Sequence, residues 1–187
     1  MSLMSRVKAI LLTPRTEWPV IEGEPATIAS LYTGYIIPLA AIPALASFIG
    51  LSLVGVHMLG VSVLVPIGVG IRGAIVRYAL SLVATYVLAL IIDALAPTFG
   101  GTRNSMAALK VSAYSSTAAW VAGIFMLIPA LGIFGLLGLY SLYLLYLGLP
   151  ALMKAPQEKA AGYTVVVVLC AIVLFVVVGY VVGAVMR

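Results

Sequence analysis

Asp93 is the residue whose type and position most invite chemistry. It sits in an otherwise apolar stretch, about one turn before the breaker Ala96-Pro97-Thr98-Phe99-Gly100-Gly101. An ionisable side chain inside a membrane span is costly and marks either an ion or proton path or a packed partnership. Tyr86 and Ala89 precede it by seven and four residues and share its helix face. Arg77 lies sixteen residues away, about 24 Å along a helix, so the two cannot pair within one helix. The partners in reach are Lys110, Arg103 and the amides of the Gly100-Gly101 turn. A structural and a functional role both remain open for Asp93. Glu17, Glu22 and Glu24 form a second acidic group, just before the first apolar run. With Lys110 and Lys154 they can make a polar face that docks a partner or holds a cation. Solvated interfacial charge explains the same spacing.

The rest of the chemical inventory is sparse. His57 is the single histidine, and without a neighbouring carboxylate or thiol it is a poor metal ligand. No Ser-His-Asp or Cys-His set can be assembled without it, and no phosphate-binding glycine motif follows a strand. Cys170 is the single cysteine and lies in an apolar run, which reads as a buried, unreactive thiol. Neither enzymatic activity nor a cofactor or metal is expected.

The elements that must position these residues follow from composition. Of 187 residues, 64% are hydrophobic and 8% charged, with a mean hydropathy of +1.26. A soluble domain is about 45–50% apolar and about 25% charged, so a soluble or disordered chain is excluded. The net charge of +5 is scattered, which excludes a nucleic-acid-binding module. Charge-free runs extend from Pro25 to Ile71, Val111 to Met153 and Ala160 to Met186. A span needs about 20 apolar residues. The runs predict an all-α polytopic membrane protein with five spans, near 28–55, 72–95, 106–128, 134–153 and 163–185. Pro38 and Pro43 predict a kink in the first, and Pro129-Ala130-Leu131-Gly132 a tight turn before the fourth. Residues 56–71, rich in Gly and β-branched types, read as an outer loop or re-entrant segment, with a sixth span as the alternative.

Residues 1–25 form a separate cytoplasmic segment before the domain at 26–187. Met4, Val7, Ile10 and Leu11 recur at helical spacing until Pro14, which predicts an amphipathic helix lying on the inner leaflet. Trp18 is placed as an interfacial anchor. The segment lacks the long apolar core and cleavage site of a signal peptide. Five spans place Arg6, Lys8, Arg15, Arg103, Lys110, Lys154 and Lys159 on one side, against Arg72, Arg77 and Arg187 on the other. The excess of basic residues puts the N-terminus in the cytoplasm and the C-terminus outside. Tyr140, Tyr143 and Tyr146 step along span four, with Tyr114 and Trp120 on span three. They predict a hydrogen-bonded internal seam, or a tyrosine-lined ligand groove. Ser115, Ala119 and Gly123 on span three, and Gly179 and Gly183 on span five, are small residues at fourfold spacing. Such faces let helices approach closely, within the chain or between copies.

Four strings carry a resemblance: TEWPVIEGEPAT (16–27), IIDALAPTFGG (91–101), LKVSAYSSTAAWVAGIF (109–125) and GLYSLYLLYLGLPALMKAPQEKAAGYT (138–164). In order and spacing they resemble the bacterial branch of the Yip family, the Ypt/Rab-interacting type of small five-span membrane protein. The resemblance implies functional positions at Glu17, Trp18, Glu24, Pro25, Asp93, Pro97, Gly100, Gly101, Lys110, Tyr114, Tyr140, Tyr143, Pro150 and Lys154. Ala118 departs from it where relatives often carry proline, which weakens the expectation of a kink there. Eukaryotic members look like partners of Rab GTPases. The bacterial branch has no Rab, and the long cytosolic extension of eukaryotic members is missing, so no Rab GTPase is expected as a partner. The resemblance implies an inner-membrane location. The leading expectation is a non-enzymatic scaffold in the bilayer that self-associates or binds another membrane protein. The alternative is a small transporter or channel for a cation, proton or lipid, built on Asp93 and the tyrosines.

Overall fold

The computed structural model describes residues 2–58 and 61–186. Helix α1 (Leu3–Leu12) starts where the Ser2 side chain accepts from the Ser5 amide. It stops at Pro14, as the sequence predicts, because a proline biases the residue before it away from helix; Thr13 sits at φ −133°. Pro14 then opens α2 (Pro14–Gly23), a position where its missing N–H is no loss. Thr27 and Ser30 make a reciprocal capping box that starts α3 (Ile28–Leu31).

The first pass continues through a π turn (Tyr32–Ile36), α4 (Ile37–Ile49) and a second π turn (Gly50–Val54). These wider turns are how the pass accommodates irregular backbone around Pro38 and Pro43, where a kink is expected. Gly55 follows at φ +82°, a conformation that favours glycine. The chain then reverses through an antiparallel hairpin of β1 (Val56–Met58) and β2 (Val61–Val63), with His57 opposite Ser62. The Val65 amide donates to the Leu51 carbonyl at 3.0 Å and pins the return to the first pass. The 56–71 region is thus a hairpin and a helix start. Helix α5 (Ile67–Leu95) begins before the expected position 72 and runs into a 3-10 turn (Ala96–Phe99).

The third pass departs most from expectation. It is not one helix over 106–128. It consists of α6 (Ser105–Ser115), α7 (Thr117–Ala122) and a 3-10 segment (Gly123–Leu127). The break falls among hydroxyls. Ser115 and Ser116 both donate to the Ser112 carbonyl, and Thr117 donates to the Tyr114 carbonyl at 2.7 Å. Such back-bonding competes with the helix ladder and bends it. The break therefore stands beside Ala118 without a proline. Residues Ala108 to Ser115 are all buried. Among the described residues four helices, not five, are long and apolar enough to cross a membrane: Ile28–Val54, Ile67–Phe99, Pro129–Met153 and Gln157–Val185. The fourth pass starts at Pro129, not near Phe134. It begins as an eleven-residue 3-10 segment (Pro129–Leu139) before α8 (Tyr140–Met153). Lys154 at φ +58° ends α8, and α9 (Gln157–Val185) follows.

Hydroxyl groups stitch the passes to one another. Tyr32 donates to the Leu82 carbonyl at 2.9 Å, Tyr78 to Ile37 at 3.1 Å and Ser112 to Thr85 at 2.7 Å. Tyr163 donates to the Ile92 carbonyl and stacks on Phe99 with centroids 4.9 Å apart. One end of the bundle gathers α1, α2 and the loops near 100 and 155, where the Thr102 amide meets the Met153 carbonyl at 2.8 Å. The hairpin, the turn near 128 and the end of α9 lie at the other. The surface is largely apolar, with Phe175, Val176 and Tyr180 of α9 exposed, as suits a chain solvated by lipid.

Gly50 marks a tight crossing. A Cβ there would stand 1.9 Å from the Met126 carbonyl oxygen, whereas one at Gly68 meets nothing within 4 Å. Gly50→Ala is expected to destabilise the protein by about 1–3 kcal/mol through overpacking. Gly68→Ala is expected to leave it unchanged or slightly more stable. Thermal unfolding of the two variants in detergent checks the contrast.

Candidate functional site

The polar residues converge where the N-terminal helices meet the bundle. Glu17 lies in the first turn of α2, and Glu24, seven residues on, is the extended residue that follows the helix. Both face Arg6 of α1. The Arg6 guanidinium donates Nη1–H to Glu17 and Nη2–H to both carboxylate oxygens of Glu24. Arg6 and Glu17 are 5% and 6% exposed, so this is a buried pair with a third, partly exposed member. Burial by itself would lower the Arg6 pKa. The hydrogen bond to Glu24 and the charges of Glu17 and Glu24 outweigh burial and hold it above the ordinary arginine value.

Lys110 of α6 completes the cluster. Its ammonium donates to the Ile21 carbonyl at 2.7 Å and the Glu24 carbonyl at 2.5 Å. The last carbonyls of a helix lack partners within it, so Lys110 caps α2 from another pass. Lys154, after α8, pairs with Glu22 at the exposed rim. Below the charges lies an aromatic stack. Arg6 Cζ sits 5.9 Å from the Tyr114 ring centre, within cation–π range. Tyr114 meets Tyr35 at 4.5 Å and Trp18 edge-on at 6.4 Å. The Tyr35 and Thr117 hydroxyls bond at 2.7 Å, which ties this stack to the break in the third pass.

Several expectations are corrected here. Trp18 is not an interfacial anchor: it is 1% exposed, and its ring fills the space beside Gly148, where a Cβ would come within 2.7 Å of it. The amphipathic face of α1 does not rest on lipid alone. Val7 and Ile10 join the protein core, while Met4 stays exposed. Tyr140, Tyr143 and Tyr146 form no internal seam. Each is 37% exposed, and Tyr140 and Tyr143 touch only each other among the aromatics. Asp93 makes no ion pair with Lys110 or Arg103 among the described residues. The Gly100 and Gly101 amides bond to the Pro97 and Ala96 carbonyls instead. One Asp93 oxygen is buried without a hydrogen-bond partner. Of the small-residue faces, Ser115 is buried and Gly123 packs tightly on Pro43, while Ala119 lies against Gly138. Gly179 and Gly183 face open space.

The structure brings together Glu17, Glu24, Lys110 and Tyr114 of the expected polar set, with Lys154 at the rim. It leaves Asp93, Tyr140 and Tyr143 outside. Arg6, Tyr35 and Thr117 are members that sequence reasoning did not single out. Arg6 and Glu17 are eleven residues apart across a proline break, and no local spacing rule covers a hairpin of two helices. Chemically, Glu17 and Glu24 are engaged with one guanidinium. No group of three metal-ligating side chains occurs among the described residues. The cluster is built to hold elements together.

A family model described as the Yip1 domain matches residues 8–178. No curated protein and no solved structure matches.

Arg6→Met would leave Glu17 buried without its cation, and breaking a buried pair costs about 3–5 kcal/mol. Lys154→Met breaks an exposed pair worth about 0–1 kcal/mol. Limited proteolysis in detergent should therefore release residues 1–24 readily from the first variant, and no faster than wild type from the second.

Proposed function

The chain belongs to the Yip1 domain family, and from that premise we propose that it is a non-enzymatic membrane scaffold that self-associates or binds another membrane protein. The observation that carries this reading is the engagement of its charged side chains in assembly. Arg6, Glu17, Glu24 and Lys110 join the N-terminal helices to the third pass, and Glu22 joins them to Lys154. The result is an end of the bundle tied together by ion pairs and a helix cap, with Lys8 and Arg15 on its surface helices, suited to contact rather than turnover.

We place this end in the cytoplasm of a bacterial inner membrane. The basic residues of α1, α2 and both loops at this end outnumber Arg72 and Arg77 at the other. The broken third pass is read as crossing with the four long apolar ones, which puts the C-terminus on the periplasmic side. Cysteine-labelling of residues near 103 and 186 in intact cells tests the orientation.

A second reading has one observation in its favour. The partnerless buried oxygen of Asp93 would suit a cation or proton path. The tyrosine-lined groove that accompanied this reading has no counterpart, since Tyr140, Tyr143 and Tyr146 face outward.

Crosslinking of the tagged protein in native membranes is expected to recover the chain itself or one defined membrane protein. That recovery should fall severalfold in Arg6→Met and persist in Asp93→Asn. Asp93-dependent cation or proton flux in liposomes, with no partner recovered, would replace the scaffold reading with the transporter.

A further inference from the structure

A half-open groove of about 440 Å³ lies between α5, α7 and α9. Its walls are almost wholly apolar: Leu88 on α5, Trp120 on α7, and Leu174, Phe175 and Val182 on α9. Gly179 and Gly183 line it with open space where side chains would stand. Three hydroxyls reach it, but each donates to a carbonyl of its own pass: Ser81 to Tyr78, Thr85 to Ser81 and Ser116 to Ser112. Arg77 is the one charged residue among its lining.

Among the described residues no carboxylate pairs with Arg77. Glu17, Glu22 and Glu24 pair with Arg6 and Lys154 at the opposite end of the bundle. Asp93 is sixteen residues along the same helix, about 24 Å away. Glu158 opens α9, whereas Arg77 faces its far end near Met186. The depth of Arg77 is also informative. Twenty residues, about the length that crosses the hydrocarbon, counted back from the end of α5 at Leu95–Ala96, reach residues 75–76. On that count Arg77 falls near the boundary between acyl chains and headgroups, and the groove runs inward from it for about 16 Å along α5 to Leu88.

An apolar channel pointing into the bilayer, with a guanidinium at its headgroup end that no described carboxylate meets, has the chemistry of a lipid. We propose that the groove binds one phospholipid with a net negative headgroup, its acyl chain along Leu88, Leu174 and Val182 and its phosphate on Arg77. Guanidinium groups bind phosphate through paired, charge-assisted hydrogen bonds, and a headgroup without a second cation leaves that attraction uncompensated. The two glycines leave the channel unfilled by side chains of α9.

The test is native mass spectrometry of the detergent-solubilised full chain carrying a C-terminal tag. The protein is titrated with phosphatidylglycerol and, separately, phosphatidylcholine. Wild type should bind the anionic lipid about tenfold or more tightly, as a charge-assisted contact provides. Arg77→Gln should reduce the preference to near unity, and Arg77→Lys should keep most of it. Arg72→Gln, outside the groove, should leave it intact. Gly179→Leu and Gly183→Leu put bulk into the groove at positions where a Cβ meets nothing within 4 Å and should weaken both lipids together. Glycerol phosphate, which lacks acyl chains, should not compete. Equal binding of the two lipids by wild type, or an undiminished preference in Arg77→Gln, would overturn the proposal in favour of ordinary boundary lipid. A dimer that Gly183→Leu disperses with lipid binding unchanged would assign the groove to a second copy of the chain.

Discussion

A guanidinium removed from water must be met by charge, and in this protein that requirement fixes where the first 24 residues go. Arg6 is held by Glu17 and Glu24 and lies over Tyr114. Leaving any of the three ions alone in a nearly apolar setting would be costly. The pairing therefore closes α1 onto α2, and Lys110 closes α2 onto the third pass by capping its last carbonyls. Trp18 and Ile21 are carried into the core as a consequence. A segment that looks like a membrane-surface helix becomes part of the folded bundle.

The same economy of polar groups governs the interior. A lipid environment gives helices no hydrophobic drive to associate with one another, so packing and interhelical hydrogen bonds decide. Tyr32, Tyr78, Ser112 and Tyr163 each reach a carbonyl of another pass. In the third pass Ser115, Ser116 and Thr117 turn back on their own pass instead, and the helix breaks at Ser116. Thr117, at the break, serves Tyr35 as well, so the irregular backbone sits directly beneath the Arg6 cluster. Irregular backbone at membrane depth is tolerated where protein buries it, and the burial of α6 meets that condition.

The helical membrane class, four of the long apolar passes and the stop at Pro14 were legible, because each rests on a local signal: hydropathy over twenty residues, or a proline. The continuity of the third pass was misread because its composition is apolar enough for a span, while Ser115, Ser116 and Thr117 act through backbone geometry that hydropathy does not register. Trp18 was misread for a different reason. Its place beside charged residues suits an interface, and only Gly148, 130 residues away, reveals the cavity that receives it. Glu17, Glu24, Lys110 and Tyr114 were legible as polar residues on one side of the membrane. Their common partner Arg6 was not, because its contact closes across a turn between two helices. The tyrosines of α8 show the opposite failure, a regular spacing that predicted an inside and found the outside.

Whether the N-terminal segment is core or surface can be measured at Trp18. With Trp120→Phe, Trp18 is the single tryptophan, and its emission can be followed in bilayers of lipids brominated along their acyl chains. A matched control places tryptophan at Phe175, 69% exposed on α9, in a chain lacking Trp18 and Trp120. Held under Arg6 against Gly148, Trp18 should stay close to its unbrominated intensity while the control is strongly quenched. Quenching of Trp18 to the level of the control would mean that the segment lies in the leaflet, and that the Arg6 cluster does not hold the bundle together.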